Sequence, residues 1–173
     1  AITVSSSSVI TKRMNLGYVP GSNYAFIDVI NYAISNTNQA LSLQPNGGNV
    51  GIGVTGPSEK LEVAGNVLIT AALLSNQENT DIDTGAEVVA QVSTSTYTAA
   101  FFDFVIKKTT NVRSGTVYAC HDGTSVVYTE TSTNDLGDTS DVTLSVDISG
   151  TEMRLRATTT SDNWSIKSLI RAI

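Results

Sequence analysis

Apolar and polar residues alternate with a period of two along most of this chain, and that pattern predicts strands rather than helices. Phe102, Phe104 and Ile106 share one face of a run that begins near Ala99. Val142, Leu144, Val146 and Ile148 alternate with Thr143, Ser145 and Asp147. Met153, Leu155 and Ala157 alternate with Glu152, Arg154 and Arg156, and Trp164, Ile166 and Ile170 lie opposite Ser165, Lys167 and Arg171. Earlier, Val88, Ala90 and Val92 stand against Glu87 and Gln91. Turn signals separate these runs. Asp122-Gly123 is the strongest of them and predicts a two-residue type I′ hairpin, because Asp-Gly reaches two positive φ angles at little cost. Ser149-Gly150 predicts a second hairpin. About seven strands at this spacing predict an antiparallel β-sandwich, jelly-roll-like, over residues 81–173.

The first part of the chain reads differently. Between Gln44 and Asn66 two prolines and six glycines interrupt short apolar runs, too many breakers for a helix and too few large side chains for a private core. Val50, Ile52 and Val54 alternate with Gly51 and Gly53, so such a strand carries branched side chains on one face and bare backbone on the other. Leu61 and Val63 continue the pattern, and Val67 and Ile69 repeat it after Ala64-Gly65-Asn66. Short strands of this kind need identical copies to stack against. Val50, Ile52, Val54, Leu61, Val63 and Val67 are the expected packing residues. Tyr24 to Ile34 fits one helical face, yet its aromatic and β-branched content favours a strand. The Ser5–Ser8 run marks an exposed or partner-paired N-terminal end. The polar stretch between Leu74 and Gly85 is the expected linker, which puts an attachment and stalk segment at 1–80 and a head at 81–173. The expected fold class is all-β, an extended stalk followed by the antiparallel sandwich.

Composition agrees with strands and turns: charged residues make up 15% of the chain, and Leu-rich helical stretches are missing. The net charge of −6, with no basic cluster beyond Lys107-Lys108, argues against nucleic acid as a partner. No run is long and apolar enough to span a membrane, and no signal-peptide pattern opens the chain. The expectation is a soluble protein that stays in the cytoplasm where it is made or leaves in a particle released by lysis. With one cysteine, Cys120, no intrachain disulfide forms, so stability comes from packing or association.

The string NVGIGVTGPSEKLEVAGN, Asn49 to Asn66, resembles a short motif of bacteriophage tail fibres and related virion appendages, where GIGTT-x-P-S-x-KL-x-V-x-GN recurs in trimeric stalks. Val54 and Gly56 depart from that string. Phe101-Phe102-Asp103, His121-Asp122-Gly123 and Trp164-Ser165-Ile166-Lys167 resemble a C-terminal β domain of phage structural proteins. The resemblance implies a homotrimeric fibre or appendage subunit of a virus particle. Such a subunit is made in the host cytoplasm, binds other virion proteins through its N-terminal segment, and presents the head to a host glycan or protein.

Candidate chemistry is sparse. His121 beside Asp122 has the composition of a base oriented by a carboxylate, but no nucleophile accompanies it, and a strand-end histidine at the hairpin mouth explains it better. Cys120 points to the opposite face of the strand from His121, so the two do not form a Cys-His pair. Asp135, Asp138 and Asp141 offer hard oxygen ligands for Ca²⁺, yet they lack EF-hand spacing, and turn-capping roles outweigh a metal site. Tyr118 and Tyr128 are the expected binding residues, as a platform on which sugar rings stack, whereas Trp164 belongs to the core. No Walker, GxSxG or CxxC pattern occurs. The expectation is therefore a non-enzymatic protein with no cofactor and no metal. A capsid-decorating protein without receptor binding is the first alternative. A polysaccharide-degrading tailspike using carboxylates such as Asp103, Glu130 and Asp147 is the second.

Overall fold

The computed structural model describes residues 2–6, 9–19, 21, 24–31 and 37–173, the side chains at 2–6, 9–13, 37 and 38 excepted. All described regular structure is β. The chain divides into two compact units, residues 1–62 and 63–173.

In the first unit, β1 (Ile2–Ser6), β2 (Val9–Val19), β3 (Tyr24–Asn31) and β4 (Thr37–Asn38) form one antiparallel sheet in chain order. The strand expected from Tyr24 is present to Asn31; residues 32–36 of that expectation lie outside the described residues. A second small sheet joins β5 (Val50–Ile52) to β6 (Leu61–Val63) around the Gly- and Pro-rich turn. That turn is held by polar contacts. The Asn49 amide donates to the Pro57 carbonyl at 2.8 Å, the Lys60 ammonium donates to the Gly48 carbonyl at 3.1 Å, and the Ser58 N–H donates to Glu62 at 2.7 Å.

The second unit is a sandwich of two unequal sheets. Its strands are β7 (Val67–Ile69), β8 (Ala72–Ile82), β9 (Gly85–Ser93), β10 (Ala99–Lys108), β11 (Asn111–His121), β12 (Val126–Ser132), β13 (Thr143–Ser149), β14 (Glu152–Thr159) and β15 (Trp164–Ala172). One sheet has the order β12-β11-β10-β15-β8-β7 and the other β13-β14-β9. Every described pairing in them is antiparallel.

The core lies between the sheets, as the alternation requires. Phe102, Phe104, Ile106, Val117, Ile166 and Ile170 from the larger sheet meet Leu144, Val146, Met153, Leu155 and Ala157 from the smaller one, all buried. On β9 the expected alternation shifts. Leu155 pairs with Ala90 and Arg156 with Val88, so Val89 is an extra residue, and the bulge buries Val89 while Val88 stays half-buried.

Two other expectations change. The polar stretch after Leu74 is not a linker: it forms most of β8, paired along its length with β15, and the boundary between compact units falls at Glu62/Val63 instead of near residue 80. Polarity is tolerated in this strand because its inward-facing polar side chains have partners. Ser75 donates to Asn66 at 2.7 Å. The Gln77 side chain both donates to the Gln91 carbonyl and accepts from the Gln91 N–H, at 2.9 Å each, and Asn79 reaches Glu87 at 2.9 Å. In this way the corner where the chain passes from β8 to β9 is zipped by side-chain amides in place of a backbone ladder. The hairpin at Asp122-Gly123 also differs. Gly123 has a positive φ of 96° but Asp122 does not, so the connection is a four-residue loop, Asp122 to Ser125. Its capping explains the choice: the Asp122 carboxylate accepts the N–H groups of Thr124 and Ser125 at 2.9 and 2.7 Å.

Candidate functional site

Because side chains alternate across a strand, burying Phe102 and Phe104 turns Phe101, Asp103 and Val105 to the outer face of the larger sheet. The register then aligns whole rows across that face. Leu74, Arg171, Phe101, Tyr118 and Thr129 stand side by side on β8, β15, β10, β11 and β12. The adjoining row is Asn76, Leu169, Asp103, Thr116 and Thr131.

These rows are locked to each other. The Phe101 and Tyr118 rings meet edge to face, with centroids 5.7 Å apart and planes at 86°. The Arg171 guanidinium lies 4.9 Å over the Phe101 ring. Its Nε and terminal nitrogen each donate to Asp103 at 3.2 Å, and the Thr116 hydroxyl donates to Asp103 at 2.6 Å. Partial burial of Asp103 raises its carboxyl pKa. The Thr116 hydroxyl and Arg171 outweigh that effect and hold the group below the ordinary carboxylate value.

Beside the aromatic pair the side chains shrink. Ala99 pairs with Cys120 and Cys120 with Val127, so small groups floor a dish of about 310 Å³ walled by Phe101, Tyr118 and Val127. Val127 is 66% exposed and Tyr118 43%. Of the two expected binding tyrosines, Tyr118 belongs to the outer row. Tyr128 pairs with Ala119, whose side chain is buried, so alternation sends the Tyr128 ring to the other face of the sheet even though the residue borders the dish. The two tyrosines do not form one platform. Sequence reasoning passed over Phe101, Arg171 and Thr116 as binding residues. The signal for Phe101 was its position next to the buried Phe102.

The remaining candidates separate. His121 closes the hairpin mouth: its Nδ1 accepts the Gly123 N–H at 2.9 Å, which leaves the protonated Nε2 to donate to the Tyr97 carbonyl at 2.7 Å. Both ring nitrogens are therefore engaged structurally. Cys120 is an exposed free thiol on the dish floor. Asp103, Glu130 and Asp147 each face their own arginine, Arg171, Arg113 and Arg154 respectively, at 3.2, 3.6 and 2.7 Å. They lie on the outer face of one sheet, the inner face of its edge strand β12, and the outer face of the other sheet, and do not converge.

Asp135, Asp138 and Asp141 cap loops. Asp135 accepts from Thr139, Asp138 from Ser140, and Asp141 from the Thr160 N–H and hydroxyl, the Ser161 hydroxyl and the Trp164 indole N–H at 2.5 to 3.0 Å. Among the described residues no group of acidic, histidine or cysteine side chains is arranged to hold a metal. Trp164 is buried as expected, and the indole N–H meets its partner in Asp141.

The capping carboxylates make an acid-lability prediction. The Ser161 and Thr160 hydroxyls hold Asp141 far below its ordinary value, and the Arg154 guanidinium does the same, less strongly, for Asp147. Asp135, Asp138 and Asp162 are also lowered, by hydrogen bonds from Thr139, Ser140 and Thr84. A carboxyl whose folded pKa lies below its unfolded one stabilises the fold above the unfolded value, near 3.9 for aspartate, and that contribution disappears as pH falls toward the folded value. The melting temperature should be flat between about pH 7 and pH 5 and fall steeply below about pH 4. A melting temperature unchanged down to about pH 2.5 would show that these caps contribute nothing.

No family model matches the chain, and no curated protein matches it. Among solved structures, the tailspike protein of Acinetobacter baumannii phage AM24 is similar to 59% of this chain, with 11% identity and a TM-score of 0.37. The match spans 26% of the tailspike chain. The expectation of a non-enzymatic protein does not stand against this finding and is withdrawn, since a tailspike is the class that had been set against it. A likeness of this size carries neither a residue role nor a reaction to the present chain.

Proposed function

We propose that the chain is a subunit of a bacteriophage tail appendage that associates as a homotrimer through its N-terminal part and presents the C-terminal sandwich for attachment to a host surface. The observation that carries this reading is where apolar surface is left uncovered. Among the described residues, every buried apolar side chain of the core belongs to residues 82–172. In the string that resembles the fibre motif, Ile52 is 57% exposed and Leu61 61% exposed, and Val67, the next residue after the string, is exposed as well. Val50, Val54 and Val63 are only half-buried. Leu16, Tyr18, Tyr24 and Ile27 of β2 and β3 are also exposed.

A single chain therefore leaves its stalk strands without a core, and closed three-fold association would supply one without adding residues. The sandwich, by contrast, has its own interior. Three heads on one stalk would make weak contacts additive through effective concentration. Light scattering on the purified full chain is the test, with an expected mass of about three times the 18.2 kDa protomer. A monomer at micromolar concentration would overturn the reading.

A further inference from the structure

Resting on the attachment reading above, we propose that the outer face of the larger sheet is a sugar-binding site for a neutral glycan, centred on Tyr118 and Phe101 and flanked by the Arg171–Asp103 pair.

The ligand class follows from which chemistries coexist on that face. The dish itself is apolar, floored by Ala99 and Cys120 and walled by Phe101, Tyr118 and Val127. Beside it stand a guanidinium from β15 and, one row along β10 and β11, a carboxylate and a hydroxyl already fixed to each other, Arg171, Asp103 and Thr116. A ligand for both must carry an apolar face and several hydroxyls on one rigid frame, and a pyranose ring does. Its C–H face packs on the aromatic pair while its hydroxyls donate to Asp103 and accept from Arg171, which is half exposed. The edge-to-face ring pair and the guanidinium stacked on Phe101 hold one another in place. Little side-chain freedom remains to be lost on binding. The dish volume of about 310 Å³ sits at the small end of the ligand-pocket range of about 300–1,000 Å³, the size of a short saccharide segment.

Other ligand classes fit less well. An extended peptide pairs with a free sheet edge, whereas the floor of the dish lies over β10 and β11, whose backbones are already laddered on both sides, and only the Val127 wall comes from the edge strand β12. Nucleic acid and acidic polysaccharide need uncompensated cations. Here the cations nearest the dish are matched, Arg171 by Asp103 and Lys167 by Glu78 at 3.0 Å, and the exposed Lys107 lies three rows along β10 from Phe101, on a chain of net charge −6. A neutral glycan meets no such barrier.

The test uses the labelled full chain on an array carrying neutral hexose and N-acetylhexosamine oligosaccharides beside sialylated and sulfated ones. Binding to at least one neutral structure is expected. It should fall at least tenfold in Tyr118→Ala and persist in Tyr118→Phe, with far-UV circular dichroism unchanged in both variants. Three results would overturn the proposal: no binding to any neutral glycan, binding confined to the acidic ones, or binding that Tyr118→Ala leaves intact. Light scattering on the same sample separates the two readings. A trimer that binds no sugar ends this inference alone, and a monomer that binds sugar ends the stalk reading alone.

Discussion

Aspartate at both Ile52 and Leu61 is expected to reduce the solution mass of the proposed trimer from three protomers to one while the C-terminal sandwich stays folded. Both side chains are more than half exposed on the single chain, so neither substitution opens a cavity in the protomer. In a stacked trimer, however, each chain would bring two carboxylates into the interface. Desolvating a carboxylate there costs several kcal/mol wherever it lacks a partner, and a three-fold axis multiplies the cost by three. Residues 63–173 form a separate compact unit that holds the whole described core, so the sandwich's thermal transition should survive in the monomeric variant. A variant whose mass remains at three protomers would place the association elsewhere than on these strands.

A comparably large effect, on stability instead of assembly, is expected from one of two adjacent phenylalanines. Phe102 is fully buried between the sheets, and its truncation to alanine removes a ring from a close-packed interior. The expected cost is about 3–5 kcal/mol, or a fall in melting temperature of roughly 15 °C for a unit of this size. Phe101→Ala, one residue away, removes a ring from the outer face, where the Tyr118 edge and the Arg171 guanidinium are its partners. It should lower stability by about 1 kcal/mol or less and act on sugar binding instead. Thermal melts of the two variants side by side decide the matter. Equal losses would mean that the alternation assigned to β10 is wrong.

The same pair of residues shows how far the sequence could be read. Alternation is a local property of an extended chain, so Phe102, Phe104 and Ile106, Met153, Leu155 and Ala157, and Trp164, Ile166 and Ile170 were legible as core residues without knowledge of any partner. The loop-forming carboxylates were legible as well, because Asp beside Ser, Thr or Gly caps its own neighbourhood, as Asp135 and Asp138 do. Where local rules compete, the reading slipped. The expected linker carried few apolar residues, yet its Gln77 and Asn79 find partners on β9, fourteen and eight residues away, which turns a polar stretch into a full strand. The Asp-Gly signal promised the tightest turn, and the side-chain acceptor of Asp122 favoured a wider loop.

By itself, then, the sequence determined that this is a β protein, which side chains of β10, β14 and β15 lie inside its sandwich, and that the stretch around Val50 to Val67 has no core of its own. Each of these follows from residue type and spacing over a few positions. Only the tertiary structure decided which strands are neighbours: β15 lies between β10 and β8, and this brings Arg171 to Asp103 across 68 residues. It also decided that Tyr118 and Tyr128 part to opposite faces and that Phe101, not Tyr128, completes the aromatic pair. Strand order and register are set by the total burial of two sheets against each other, a property of all the strands at once, and no short window of sequence contains it.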